Sequence, residues 1–118
     1  MKYEVKICGL TRREDVEAAV EAGADYVGFV LADFSPRRVT PEQLAVLTRD
    51  LPRHVKKVGV FVNAAKEFIF STVKTGSLDV VQLHGEESAE FARSLRGLTV
   101  WKAAHLTSLA DVDFYASY

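Results

Sequence analysis

The chain predicts an α/β fold built on a parallel sheet, and three observations carry that expectation. Apolar strand-like runs alternate with amphipathic helical stretches from end to end. The run Tyr26-Val-Gly-Phe-Val-Leu31 is apolar on both faces, as suits a strand covered on both sides. Capping residues and glycines recur at the joints between runs, where repeated βα units turn.

Each element has its own signal. The first strand, Tyr3–Cys8, alternates and closes at Gly9. Thr11 and Glu14 then stand at capping-box spacing and predict a helix start. Val16, Ala19 and Val20 share one face of that helix, and Gly23 supplies a left-handed stop. After the second strand, Tyr26–Leu31, comes a polar loop, Asp33–Arg38. Thr40, Pro41 and Gln43 read as cap, first-turn proline and capping-box partner of a helix that turns Leu44, Leu47 and Leu51 inward. The third strand is Lys57–Val62, with Asn63 expected to cap a helix that buries Phe68, Ile69 and Val73 before Gly76. A fourth strand, Leu78–Leu83, leads to a helix that uses Phe91, Ala92 and Leu95 and stops at Gly97. The fifth strand is Leu98–Ala103, and Ser108 with Asp111 has the spacing of one more capping box. Two segments are alike: Gly23-Ala-Asp25 and Gly76-Ser-Leu-Asp79 each place an aspartate between a helix-ending glycine and a strand.

Length and composition bound the function classes. A chain of 118 residues is one domain at most. Hydrophobic residues make up 48% and charged residues 26%, which argues against disorder. Fifteen Lys and Arg face 16 Asp and Glu, for a formal charge of −1, so no nucleic-acid or membrane-surface role has electrostatic support. A single cysteine rules out an intrachain disulfide. No signal peptide or membrane-spanning run is present, and the expected compartment is the cytoplasm.

Five βα units fit either an open doubly wound sheet or part of a (β/α)8 barrel. Length alone favours the open sheet, because a complete barrel takes about 200–250 residues. The turn Cys8-Gly9-Leu10-Thr11 lacks the glycine cluster of a dinucleotide site, and no Walker loop or serine-hydrolase elbow occurs. In both architectures the active face lies at the C-terminal ends of the strands.

Five residues at those ends are candidates. Cys8 ends the first strand beside a glycine; a neighbouring cation or helix N-terminus can lower a thiol pKa from about 8.5 into the range of a base. The competing assignment is a buried small hydrophobe. Arg37 and Arg38 follow Pro36, and a guanidinium fork there could bind a carboxylate or phosphate, or simply stand in solvent. Gln82 and His84 are two apart in the fourth strand and so face one side. His84 could act as acid, base or donor, or could pair with the acidic Glu86-Glu87 that follows. Asp79, early in its strand, reads as structural. Phe68, Phe70 and Trp101 read as core. His54 and His105 have no partner at metal-ligand spacing, so no protein-bound metal is expected.

Taken together, Lys6-Ile-Cys-Gly-Leu-Thr11, Gly28-Phe-Val-Leu31 leading to Ser35-Pro-Arg37, Val58-Gly-Val-Phe-Val62, Gln82-Leu-His-Gly85 and Lys102-Ala103 resemble the phosphoribosylanthranilate isomerases of tryptophan biosynthesis. The resemblance covers essentially the whole chain and implies a (β/α)8 TIM barrel, of which these residues are about five βα units, the N-terminal portion. It implies an Amadori rearrangement of N-(5-phosphoribosyl)anthranilate to 1-(2-carboxyphenylamino)-1-deoxyribulose 5-phosphate, with no cofactor. By position, Cys8 takes the role of the family's general base, Arg37 contacts the anthranilate carboxylate, and Gln82 and His84 line the substrate pocket.

The family's general acid, an aspartate at the end of strand six, and its phosphate site after strands seven and eight match nothing here; Asp111 and Asp113 lie ahead of strand six. The 118 residues by themselves are therefore expected to be inactive, with open edges and apolar interior layers covered by the missing half or by a second copy. Two alternatives are an indole-glycerol-phosphate synthase, for which Lys6 would be the early catalytic lysine, and a non-catalytic half-barrel that works as an assembly unit.

Overall fold

A computed structural model describes residues 3–104 together with 110 and 116. His105, Ser108, Asp111 and Asp113, and with them the last expected capping box, lie outside the described residues. The elements are β1 (Lys6–Ile7), α1 (Arg13–Glu21), β2 (Tyr26–Val30), α2 (Pro41–Leu47), β3 (Lys56–Phe61), α3 (Lys66–Gly76), β4 (Val80–Leu83), α4 (Ala89–Ser94) and β5 (Thr99–Lys102).

All four pairings are parallel, and the strand order is β1-β2-β3-β4-β5. That order decides the architecture. A doubly wound sheet reverses its strand order so that helices cover both faces. Here each strand lies beside its predecessor, and right-handed crossovers then place every helix on one face. The open doubly wound sheet favoured by length alone is thus overturned in favour of a barrel-type, singly wound sheet. Among the described residues the sheet does not close, and β1 and β5 are its edges.

The convex side carries the core. Val27, Phe29, Phe61 and Val81 from the strands pack with Val16, Leu44, Leu47 and Ile69 from the helices, all buried. Val58, Val60 and Val80, on the concave side, are buried as well. These valines are covered because side chains from β2 and β5 meet across the concavity. Tyr26 and Trp101 stack edge-to-face with centroids 5.1 Å apart. Trp101 is therefore a half-buried filler of the concave side, not helix-facing core. At the β1 edge, Val5 and Ile7 are 49% and 40% exposed.

Local signals held unevenly. The Thr40 capping box forms in full: Thr40 Oγ1 accepts from the Gln43 amide, and Gln43 Oε1 accepts from the Thr40 amide. The Thr11–Glu14 box does not form; α1 starts from Arg12, which makes no side-chain cap, and Arg12 pairs with Glu14 instead. Asn63 does not cap α3 either. The N-cap is Ala65, and Asn63 sits in the left-handed region at φ 49° with its side chain reaching to the next loop. Phe68 is 37% exposed because the buried stripe of α3 runs through Ile69, Thr72 and Gly76.

The two similar segments have the same job. Asp25 accepts from the Val5 amide while its own amide donates to Val5 O. Asp79 does the same to Lys57. Each aspartate clamps the start of its strand to the preceding one, at the end of the sheet away from the candidate residues.

Candidate functional site

Cys8 follows β1 directly and is exposed, so the buried-hydrophobe assignment is overturned. Two glycines make its position. Gly9, at φ 81°, turns the chain so that its own amide and that of Leu10 both donate to Gly28 O, at 3.1 and 3.2 Å. Gly28 then leaves room for the thiol: a Cβ there would lie 2.8 Å from Cys8 Sγ.

The loop after β2 folds back on its strand. Val39 donates to Val30 O, and the Arg37 amide donates to Ser35 Oγ. This brings Arg37 over the turn that carries Cys8; a Cβ on Gly9 would come within 3.0 Å of Arg37 Cδ and Nη1. Arg38 pairs with Asp33 at 3.3 Å. Arg37, exposed, makes no ion pair among the described residues. Loop chemistry alone left the two arginines equivalent, and the family resemblance singled out Arg37; in the structure it is Arg38 that is ion-paired.

Strand β4 contributes Gln82 in the sheet and His84 just beyond it, both on the concave side. The His84 amide donates to Phe61 O, which extends the ladder and leaves the imidazole exposed. Cys8, Gln82 and His84 line one concave cleft of about 380 Å³ at the C-terminal ends of the strands, with Lys6 below and Phe34 and Ser35 at the rim. Lys6 Nζ donates to Gln82 Oε1 and lies 5.9 Å from the Trp101 ring centroid. Among the described residues, no group of three or more His, Cys, Asp or Glu is placed to hold a metal ion.

A second network braces the rim. Glu87 and Lys102 form an ion pair at 3.0 Å with side chains only 3% and 6% exposed. Lys102 also donates to Gly85 O, while Glu87 accepts from the amides of Asn63 and Gly85. Burial on its own would raise the Glu87 carboxyl. The amides of Asn63, Glu87 itself and Gly85, with the Lys102 ammonium, outweigh burial and hold the carboxyl below its ordinary range. Sequence reasoning offered Glu87 as a partner for an exposed His84; the structure engages it in this brace instead. The available signal was Lys102, a lysine in register with the fully buried Leu83, since a charge in that layer calls for a buried partner.

A family model described as N-(5'-phosphoribosyl)anthranilate (PRA) isomerase matches residues 5–117. The N-(5'-phosphoribosyl)anthranilate isomerase of Citrifermentans bemidjiense is 48% identical over 113 residues, which are 92% of this chain and 55% of that protein. The crystal structure of phosphoribosyl anthranilate isomerase from Thermotoga maritima superposes with a TM-score of 0.91 at 41% identity, covering 95% of this chain and 55% of that one. A structure of such an isomerase in complex with reduced 1-(o-carboxyphenylamino)-1-deoxyribulose 5-phosphate also gives 0.91 at 41% identity, over 95% of this chain and 58% of that one. The chain thus spans about half the length of the curated relatives it matches.

Proposed function

Since this chain belongs to the N-(5'-phosphoribosyl)anthranilate isomerase family, we propose that it supplies the base-bearing half of an enzyme that converts N-(5-phosphoribosyl)anthranilate to 1-(2-carboxyphenylamino)-1-deoxyribulose 5-phosphate. The observation that carries the reading is the convergence of Cys8, Gln82 and His84 on one cleft, with Arg37 beside the Cys8 turn.

Opening of the ribose ring, with proton donation to the ring oxygen, gives a Schiff base. Cys8 then takes the proton from ribose C2, and the electron pair moves into the iminium to form an enolamine. Tautomerisation yields the ketoamine. The substrate's own iminium is the electron sink, so the scheme calls for neither metal nor organic cofactor. Arg37 holds the anthranilate carboxylate as a bidentate fork. Gln82 and His84 line the sugar-binding part of the cleft.

Residues 1–118 form the N-terminal portion of a single barrel domain, and the remaining βα units cover the edges at β1 and β5 and bring the general acid and the phosphate site. The partner is a small phosphorylated molecule, and the setting is the cytoplasm; no helix among the described residues is long and apolar enough to cross a membrane.

The test is turnover of N-(5-phosphoribosyl)anthranilate by the full-length protein that contains this chain. Cys8→Ser should lower kcat by about 10²–10⁴-fold, the value of one positioned acid–base group, with circular dichroism and melting temperature unchanged because Cys8 lies outside the core. Residues 1–118 alone should show no turnover. A Cys8→Ser enzyme at wild-type rate would sink the assignment of the base.

A further inference from the structure

Beneath Cys8 and His84 lies a polar floor. Lys6 in β1 precedes Cys8 by two residues, and Gln82 in β4 precedes His84 by two, so each pair lines the same side. The Lys6–Gln82 hydrogen bond therefore runs across the concavity and ties the strand bearing Cys8 to the strand bearing His84. Trp101, the register neighbour of Gln82, closes the floor and faces the Lys6 ammonium.

The bond has a polarity. An ammonium only donates, whereas a carboxamide has one accepting and one donating end. With Oε1 of Gln82 taken by Lys6, the end left for a ligand is the NH2 group. The carboxamide ends are nearly the same size, so without Lys6 nothing in that bond would choose between them.

We propose that Lys6 is a positioning residue that presents Gln82 to the ligand as a hydrogen-bond donor, so that this point of the cleft selects an acceptor oxygen of the substrate. The inference rests on the substrate reading above. It also gives the Lys6 ammonium a task other than covalent catalysis.

Steady-state kinetics of the full-length enzyme with N-(5-phosphoribosyl)anthranilate test it, using Lys6→Met, Lys6→Arg, Gln82→Met and the Lys6→Met/Gln82→Met double variant. Loss of one ligand hydrogen bond should raise KM about tenfold in Lys6→Met and in Gln82→Met, with kcat little changed. Lys6→Arg, also a pure donor, should restore KM, and the double variant should be no worse than Gln82→Met. Unchanged KM in Lys6→Met, or single effects that multiply in the double variant, overturns the proposal. A wild-type enzyme without turnover overturns the substrate reading itself, and this inference with it.

A variant-free measurement stands beside these. In a crystal structure of the wild-type enzyme with reduced 1-(o-carboxyphenylamino)-1-deoxyribulose 5-phosphate, Gln82 Nε2 should lie within hydrogen-bond reach of a ligand oxygen. Gln82 Oε1 turned toward the ligand, or no ligand oxygen in reach, overturns the proposal even if Lys6→Met does not fold.

Discussion

Gly28 does more for the thiol than any polar neighbour the structure shows. A methyl group there would stand 2.8 Å from Cys8 Sγ and 3.3 Å from Cys8 Cα, so the turn and the thiol would have to move together. Gly28→Ala is expected to cost about 1–3 kcal/mol in stability as overpacking. It should also cut kcat by at least about tenfold, since displacing a reactive group by an ångström is expensive. Urea denaturation and turnover measured on the same preparation check both, and wild-type kinetics in Gly28→Ala would count against the thiol's role. Cys8, Gln82 and His84 were legible as candidates because strand ends and two-residue spacing are sequence properties. Which arginine stays free of a partner was not legible. The family motif points to Arg37, but the pairing of Arg38 depends on where Asp33 falls after the loop folds back, and that is a matter of three-dimensional geometry.

At the scale of the element, two capping boxes with equally good spacing had different fates. Thr40 and Gln43 bond reciprocally because Pro41 sets the first turn of α2. At the start of α1 the chain leaves the tight Gly9 turn and enters the helix one residue later than Thr11 would require, with Arg12 at the N-cap. Thr40→Ala should therefore destabilise the protein by about 1 kcal/mol, while Thr11→Ala should stay within about 0.5 kcal/mol of wild type. Chemical denaturation with equal m-values checks the pair; equal losses at both sites would contradict the observed caps. The strands were legible to within a few residues, except the first. The expected strand Tyr3–Cys8 shrinks to Lys6–Ile7, since β2 begins only at Tyr26, the partner of Lys6, and the Gly9 turn ends the ladder on the other side.

For the whole molecule, the buried Glu87–Lys102 pair joins the loops after β3 and β4 to β5. The carboxyl's folded-state pKa lies below its unfolded value near 4.5. The stabilisation is accordingly complete above that value and is lost as pH falls through the lower folded-state pKa. Glu87→Gln removes a carboxylate from the buried Lys102 ammonium and should cost about 3 kcal/mol or more at neutral pH. It should also flatten the fall in stability on the acid side of pH 4.5. Melting temperatures of both proteins from pH 7 to pH 3 test this, and parallel curves would remove Glu87 from the account.

The residue pattern by itself determined a parallel βα repeat, the end of the sheet where chemistry gathers, and through its motifs the family. These follow from local periodicity, capping chemistry and strand alternation, which need no knowledge of distant contacts. Only the tertiary structure decided the strand order, the Lys6–Gln82 floor and the Glu87–Lys102 brace. Each joins residues far apart in the chain, and the choice among partners is made by packing and by the cost of burying a charge unpaired.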